Sequence, residues 1–130
     1  VFFKCYTDQI PLSLPGEMAL IKAECYARMN MLPEAVAALD AVRTKTADAF
    51  NVTAKSTAFA GDPTDKDAVL LDIYRHRCIE LYMSGQKLED CRRFGRPGPN
   101  DPDSERSRNF YPYPTVERDN NPNTPADPSV

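Results

Sequence analysis

The chain has 130 residues and a formal net charge of −3. That length suffices for one domain with a core, and the acidic balance speaks against a nucleic-acid binder, which carries a basic excess. No apolar run approaches the roughly 20 residues that span a membrane. Residue 1 is Val, not Met, and no signal peptide is visible, so a processed or truncated chain is expected.

Residues 1 to 13 read as an extended lead-in. The apolar "VFFKC" run is too short, and Lys4 is wrong, for Cys5 to be a lipid-bearing cysteine. Pro15 and Glu17 then open a helix predicted over 15–30. Met18, Ile21, Cys25 and Met29 recur at helical spacing, and Leu20, Ala23 and Ala27 widen that apolar face, which places Cys25 as a buried thiol. Glu17, Glu24 and Arg28 are left as a polar stripe, with Glu24 and Arg28 a favourable pair four apart. A turn at "RMNMLPE" leads into a second helix over 33–47, with Ala35, Leu39 and Val42 inward. Small residues at 23, 27, 35 and 38 let the two helices approach closely. Tyr26, Ala35 and Leu39 fit the spacing of a tetratricopeptide helix pair, a weak match by itself.

Residues 46 to 65 read as a loop. The Asn51-Val52-Thr53 sequon there is short enough to arise by chance. Asp62, Asp65 and Asp67 lack the mid-loop Gly and distal Glu of a calcium-binding hand, and Asp65 is placed instead as the cap of a third helix. That helix is predicted over 66–84, with Leu70, Ile73, Tyr74 and Leu81 buried, Arg77 and Glu80 at the edge of the stripe, and Gly85 as a left-handed cap. A short helix over 87–94 follows. Eight of the twelve prolines lie beyond Arg96, so the remainder reads as loop and extended chain. "FYPYPTVE" is expected to dock as an extended segment.

The chemistry-bearing residues are few. Four cysteines at 5, 25, 78 and 91 permit three connectivities. They form no CxxC pair, and with His76 the one histidine a zinc cluster is not expected. A disulfide between Cys78 and Cys91 across the glycine break stays open. Asp90, Arg92, Arg93 and Arg96 suit either a phosphate or acidic sugar, or pairing with Glu80 and Asp90 to tie helix ends; the nearby acids favour pairing. Glu80 and Asp90 are the carboxylates a glycosidase would need, yet they sit on helix faces explained by packing. His76 has no partner in a recognisable nucleophile motif. No catalytic residue, metal or cofactor is expected.

Three segments in order resemble the SusD/RagB family of bacterial surface glycan-binding lipoproteins. In "GEMALIKAECYARMNMLPEAVAALDAVRTK", Lys22-Ala23-Glu24 matches, and Asp40-x-x-Arg43 stands where the family has Asn-x-x-Arg. In "HRCIELYMSGQKLEDCRRFG", Arg77, Glu80, Leu81, Gly85, Asp90 and Arg93 match, while His76, Ser84, Leu88 and Glu89 depart. In "FYPYPTVERDNNPN", Pro112, Pro114, Glu117, Asn121 and Pro122 match. The resemblance implies an all-α fold of tetratricopeptide-like helical pairs followed by a Pro-rich irregular segment. Residues 1–94 would be the helical scaffold portion and 95–130 the loop and tail, both parts of one larger domain. It implies a non-catalytic C-terminal part of a longer protein, lipid-anchored in the outer membrane through an upstream segment. Its partners would be a SusC-like TonB-dependent transporter and an oligosaccharide. Arg77, Glu80, Gly85, Asp90 and Arg93 would be structural, with the glycan site outside this chain. The alternative reading is a helical-repeat protein-interaction module.

Overall fold

A computed structural model describes residues 7, 13–47 and 53–127; the lead-in apart from Thr7 and Ser13, Cys5, and the Asn51 and Val52 of the sequon lie outside the described residues. Among the described residues five helices follow in order: α1 (Pro15–Arg28), α2 (Leu32–Arg43), α3 (Lys66–Glu80), α4 (Lys87–Arg93) and α5 (Thr115–Asn120). The fold is all-α, with no strand among the described residues. The chain divides into two compact units between Leu81 and Tyr82, so α4 belongs with the second.

In the first unit α1 packs against both α2 and α3. Pro15 sits at the first position of α1, where its missing N–H costs nothing. The helix ends in a Schellman motif: Met31 N–H donates to Tyr26 O at 2.9 Å and Asn30 N–H to Ala27 O at 3.1 Å. Asn30 takes the left-handed conformation there, φ 63°, which Asn tolerates better than most residues. Three residues therefore suffice to turn the chain into α2. Ala23, Ala27 and Ala35 are fully buried at this crossing, and their small side chains let the backbones approach; Ala38 is half-buried at its edge.

The buried face of α1 is not the one its larger apolar residues suggest. Leu20, Ala23, Glu24 and Ala27 face inward, while Met18 and Met29 stay 52% and 60% exposed and Ile21 and Cys25 are exposed too. α2 and α3 pack on the small-residue face. Burying Glu24 is tolerable because Arg28 Nε lies 2.8 Å from its carboxylate.

Asp65 caps α3, accepting from the N–H groups of Asp67 at 2.9 Å and Ala68 at 3.2 Å. Its inner stripe is Val69, Ile73, Tyr74 and Arg77, continued by Leu81; Val69 takes the place expected of Leu70, which is half-buried. The helix stops at Glu80, four residues short of expectation. The chain reverses at Met83, φ 65°, and Ser84 and Gly85 add little helix propensity to resist that. Tyr82, just past the helix end, is 67% exposed. Gly85 is left-handed, φ 82°, but stands in the turn before α4 and does not cap α3. The glycine that caps a helix is Gly95, φ 62°, closing α4 with Arg96 N–H donating to Cys91 O at 2.8 Å.

The second unit has a small interior of Leu88, Asp90 and Cys91 from α4. Its Pro-rich part contains α5, where only irregular chain was expected. Pro114 leads directly into that helix, its fixed φ suiting a helix entrance. The six-residue element buries no side chain.

Candidate functional site

The charged side chains of the first unit gather where the C-terminal half of α2 meets α3. Asp40 and Arg43, three apart on α2, share a face. Arg43 is 9% exposed. Its Nε donates to Thr57 O at 2.8 Å and its Nη2 to Ala58 O at 3.4 Å. Asp40 Oδ1 accepts the N–H of Phe59 at 2.7 Å and lies 3.7 Å from Arg43 Nε. One turn of α2 thus clasps three consecutive residues of the long loop.

From α3, Asp72 and His76 project four apart onto the same spot. Arg43 Nη1 bonds Asp72 Oδ2 and lies 3.0 Å from His76 Nε2. Burial is the chief force holding the His76 pKa below its ordinary 6.5; the Asp72 charge opposes that, Arg43 adds to it, and Glu80 and Asp40 oppose it more weakly. The neutral ring accepts from the guanidinium through Nε2, which leaves its proton on Nδ1.

Glu80 is fixed nearby. Lys45, just past the end of α2, donates to both of its carboxylate oxygens at 2.7 Å. A Cβ on Gly16 would lie 2.0 Å from Glu80 Oε1, so the carboxylate rests against the first turn of α1, the positive end of that helix dipole. Glu80 therefore joins the start of α1 to the end of α2. Arg77 is 4% exposed on the inner face of α3.

In the second unit Asp90 is 3% exposed and accepts from Arg93 Nη2 at 2.6 Å. Arg92 donates to Glu89 at 3.0 Å, and its guanidinium stands 4.8 Å from the Phe110 ring centre. Arg96 Nε donates to Glu105 Oε1 at 2.8 Å, and Arg106 donates to Arg96 O. The arginines after the glycine break thus pair with Glu89, Asp90 and Glu105. Among the described residues, Cys25, Cys78 and Cys91 form no disulfide, so the Cys78–Cys91 bridge is absent.

The "FYPYP" segment does not bury its rings: Phe110, Tyr111 and Tyr113 are 50%, 60% and 38% exposed. It is tethered by its polar ends. Tyr111 OH donates to Gly85 O at 3.3 Å, Tyr113 N–H donates to Asp127 Oδ1 at 3.1 Å, and Arg118 bridges Asp127 Oδ2 at 2.6 Å and Tyr113 O at 3.1 Å.

These arrangements anchor chain segments. The carboxylates around His76 are engaged by a guanidinium, an ammonium or a backbone amide, and among the described residues no group of three or more His, Cys, Asp or Glu side chains is set to hold a metal ion. Sequence reasoning missed Lys45 and Asp72, and gave His76 no role. The spacing of Asp72 and His76 was visible, but their partner Arg43 lies 29 and 33 residues away in sequence.

A family model described as the SusD family matches residues 15–127, a span that takes in all five helices. The chain belongs to the SusD family. Membership points to a nutrient-binding surface protein of a carbohydrate-binding, generally non-catalytic kind. No curated protein and no solved structure matches the chain.

Proposed function

We propose that this SusD-family chain is a non-catalytic scaffold portion of an outer-membrane lipoprotein that helps deliver oligosaccharides to a SusC-like TonB-dependent transporter. The lipid anchor and the main glycan contacts would lie in other parts of the protein. Residues 1–94 serve as helical scaffold and 95–130 as loop and tail of one larger domain, with Arg77, Glu80, Gly85, Asp90 and Arg93 in structural roles.

The observation that carries this reading is where the polar side chains go. Arg43, Glu80, Asp90, Arg93 and Arg96 each bind another group of the chain itself, as a scaffold requires. The exposed stripe of Met18, Ile21, Cys25 and Met29 on α1 supports it further, since a helix pair of a stacked fold leaves its outer face for a neighbouring pair to cover.

Calorimetry tests the proposal. The intact protein should bind an oligosaccharide, whereas residues 1–130 alone should bind none and tend to aggregate through the uncovered stripe. Millimolar or tighter binding by residues 1–130, abolished by Tyr111→Ala or Tyr113→Ala, would move the site into this chain and overturn the assignment.

A further inference from the structure

The cluster around His76 does more than hold two helices together. Arg43 and Asp40 are the groups that fasten residues 57–59 to the helices, through Thr57 O, Ala58 O and the Phe59 N–H. The orientation of Arg43 is set from α3, by Asp72 and by the Nε2 lone pair of His76. A titratable ring thus accepts a hydrogen bond from the guanidinium that clasps the loop.

We infer that His76 makes this clasp an acid-sensitive latch: protonation of its ring loosens residues 57–59 from α2 and α3. The physical sequence is short. A proton added at Nε2 removes the lone pair that Arg43 Nη1 uses and sets two cations about 3.0 Å apart. The new N–H turns toward Asp72 Oδ2, 3.9 Å away, so imidazolium and guanidinium compete for one carboxylate. The other charged groups facing His76 are Asp40 from α2 and Glu80 from α3. Asp40 is engaged by the Phe59 amide and Glu80 by Lys45, so neither moves to the ring without breaking another tie. Releasing the loop relieves the conflict, because the open form hydrates both cations.

The sign follows from linkage. The closed latch holds His76 below its ordinary pKa of 6.5, so the closed form binds fewer protons than the open form. Closure is therefore fully favoured above the ordinary pKa and weakens as pH falls below it. The limiting slope is tenfold per pH unit.

Backbone hydrogen exchange on the full chain reads this directly, with rates at each pH divided by the intrinsic exchange rate. Between about pH 7.5 and about pH 5.5, protection of the Phe59 amide should fall about tenfold, while amides inside α1 keep theirs. In His76→Gln, whose side-chain carbonyl accepts from Arg43 but takes up no proton, the Phe59 amide should stay protected at both pH values. Direct NMR titration of the His76 ring in the unmutated chain gives a second measurement that needs no variant: its protonation should track the loss of Phe59 protection. Unchanged protection across this range, an equal loss in His76→Gln, or ring protonation without loop release would each overturn the inference.

Discussion

Both units are laced with ion pairs of the same chemistry, and the pairs differ in what surrounds them. In the first, Arg43 with Asp72 and Lys45 with Glu80 have side chains 11% to 16% exposed and link elements far apart in sequence. In the second, Arg92 with Glu89 and Arg118 with Asp127 stand 34% to 57% exposed and link residues three and nine apart. Water screens the second set, so each contributes little; the first set holds desolvated charges whose loss of a partner is costly. Among these pairs the chain therefore depends most on the first set. The helical unit is defined by buried contacts between distant elements, and the proline-rich unit, apart from the buried Asp90 of α4, by local polar ties.

The largest effect is expected at Arg43. Arg43→Ala strands the Asp72 carboxylate and cuts both carbonyl ties to the loop. It should destabilise the chain by about 3–5 kcal/mol, read by chemical denaturation. Arg77→Ala, which removes a charge 4% exposed on the inner face of α3, should lower Tm in the same way. Arg43→Ala melting like the unmutated chain would dissolve the distinction between the two units.

Gly16→Ala comes next. The added methyl overlaps the Glu80 carboxylate, so Glu80 must shift and strain its tie to Lys45. A cost of about 1–3 kcal/mol is expected, as for other overpacked sites. Most of it should vanish in a Glu80→Ala background, where the clash is gone. A full cost in both backgrounds would place the strain elsewhere in α1.

How far these features were legible follows from how local they are. The Asp65 cap, the alanines of the α1–α2 crossing and the Glu24–Arg28 pair depend on residues within a turn or a short hairpin, and sequence spacing shows them. The buried face of α1 was not legible, because Met18, Ile21 and Met29 make the larger apolar stripe while α2 and α3 pack on the small residues beside it. The end of α3 was misplaced because Gly85 looks like a cap, whereas the reversal happens at Met83. α5 was hidden by composition, prolines on both sides masking a six-residue helical segment. The Arg43 cluster was half visible: Asp40-x-x-Arg43 stood out as a family feature, but nothing in the spacing shows that Thr57, Ala58 and Phe59 fold onto it.

A smaller loss is expected from Asp65→Ala, at the edge of the helical unit. The Asp65 side chain satisfies two N–H groups at the start of α3, and their loss should cost about 1 kcal/mol. Asp65→Asn should recover most of it, since the cap needs an acceptor more than a charge. An Asn variant as unstable as the Ala variant would make the helix dipole the larger contribution.

The smallest effect is expected at Arg118. This side chain is 44% exposed, and Asp127 is 34% exposed, so their attraction is largely screened. Arg118→Ala should change the global denaturation midpoint by no more than about 0.2–1 kcal/mol. Its effect should instead be local. Arg118 also holds Tyr113 O, while Asp127 holds the Tyr113 N–H, so the pair sets the conformation of a residue whose ring faces solvent. Hydrogen exchange at Tyr113 should accelerate in Arg118→Ala while α1 to α3 keep their protection, and high salt should weaken the Tyr113 tie in the unmutated chain. A global loss comparable to that of Arg43→Ala would mean that the exposed clasp supports the fold as strongly as the buried hub, and the contrast between the two units would fail at its weakest pair.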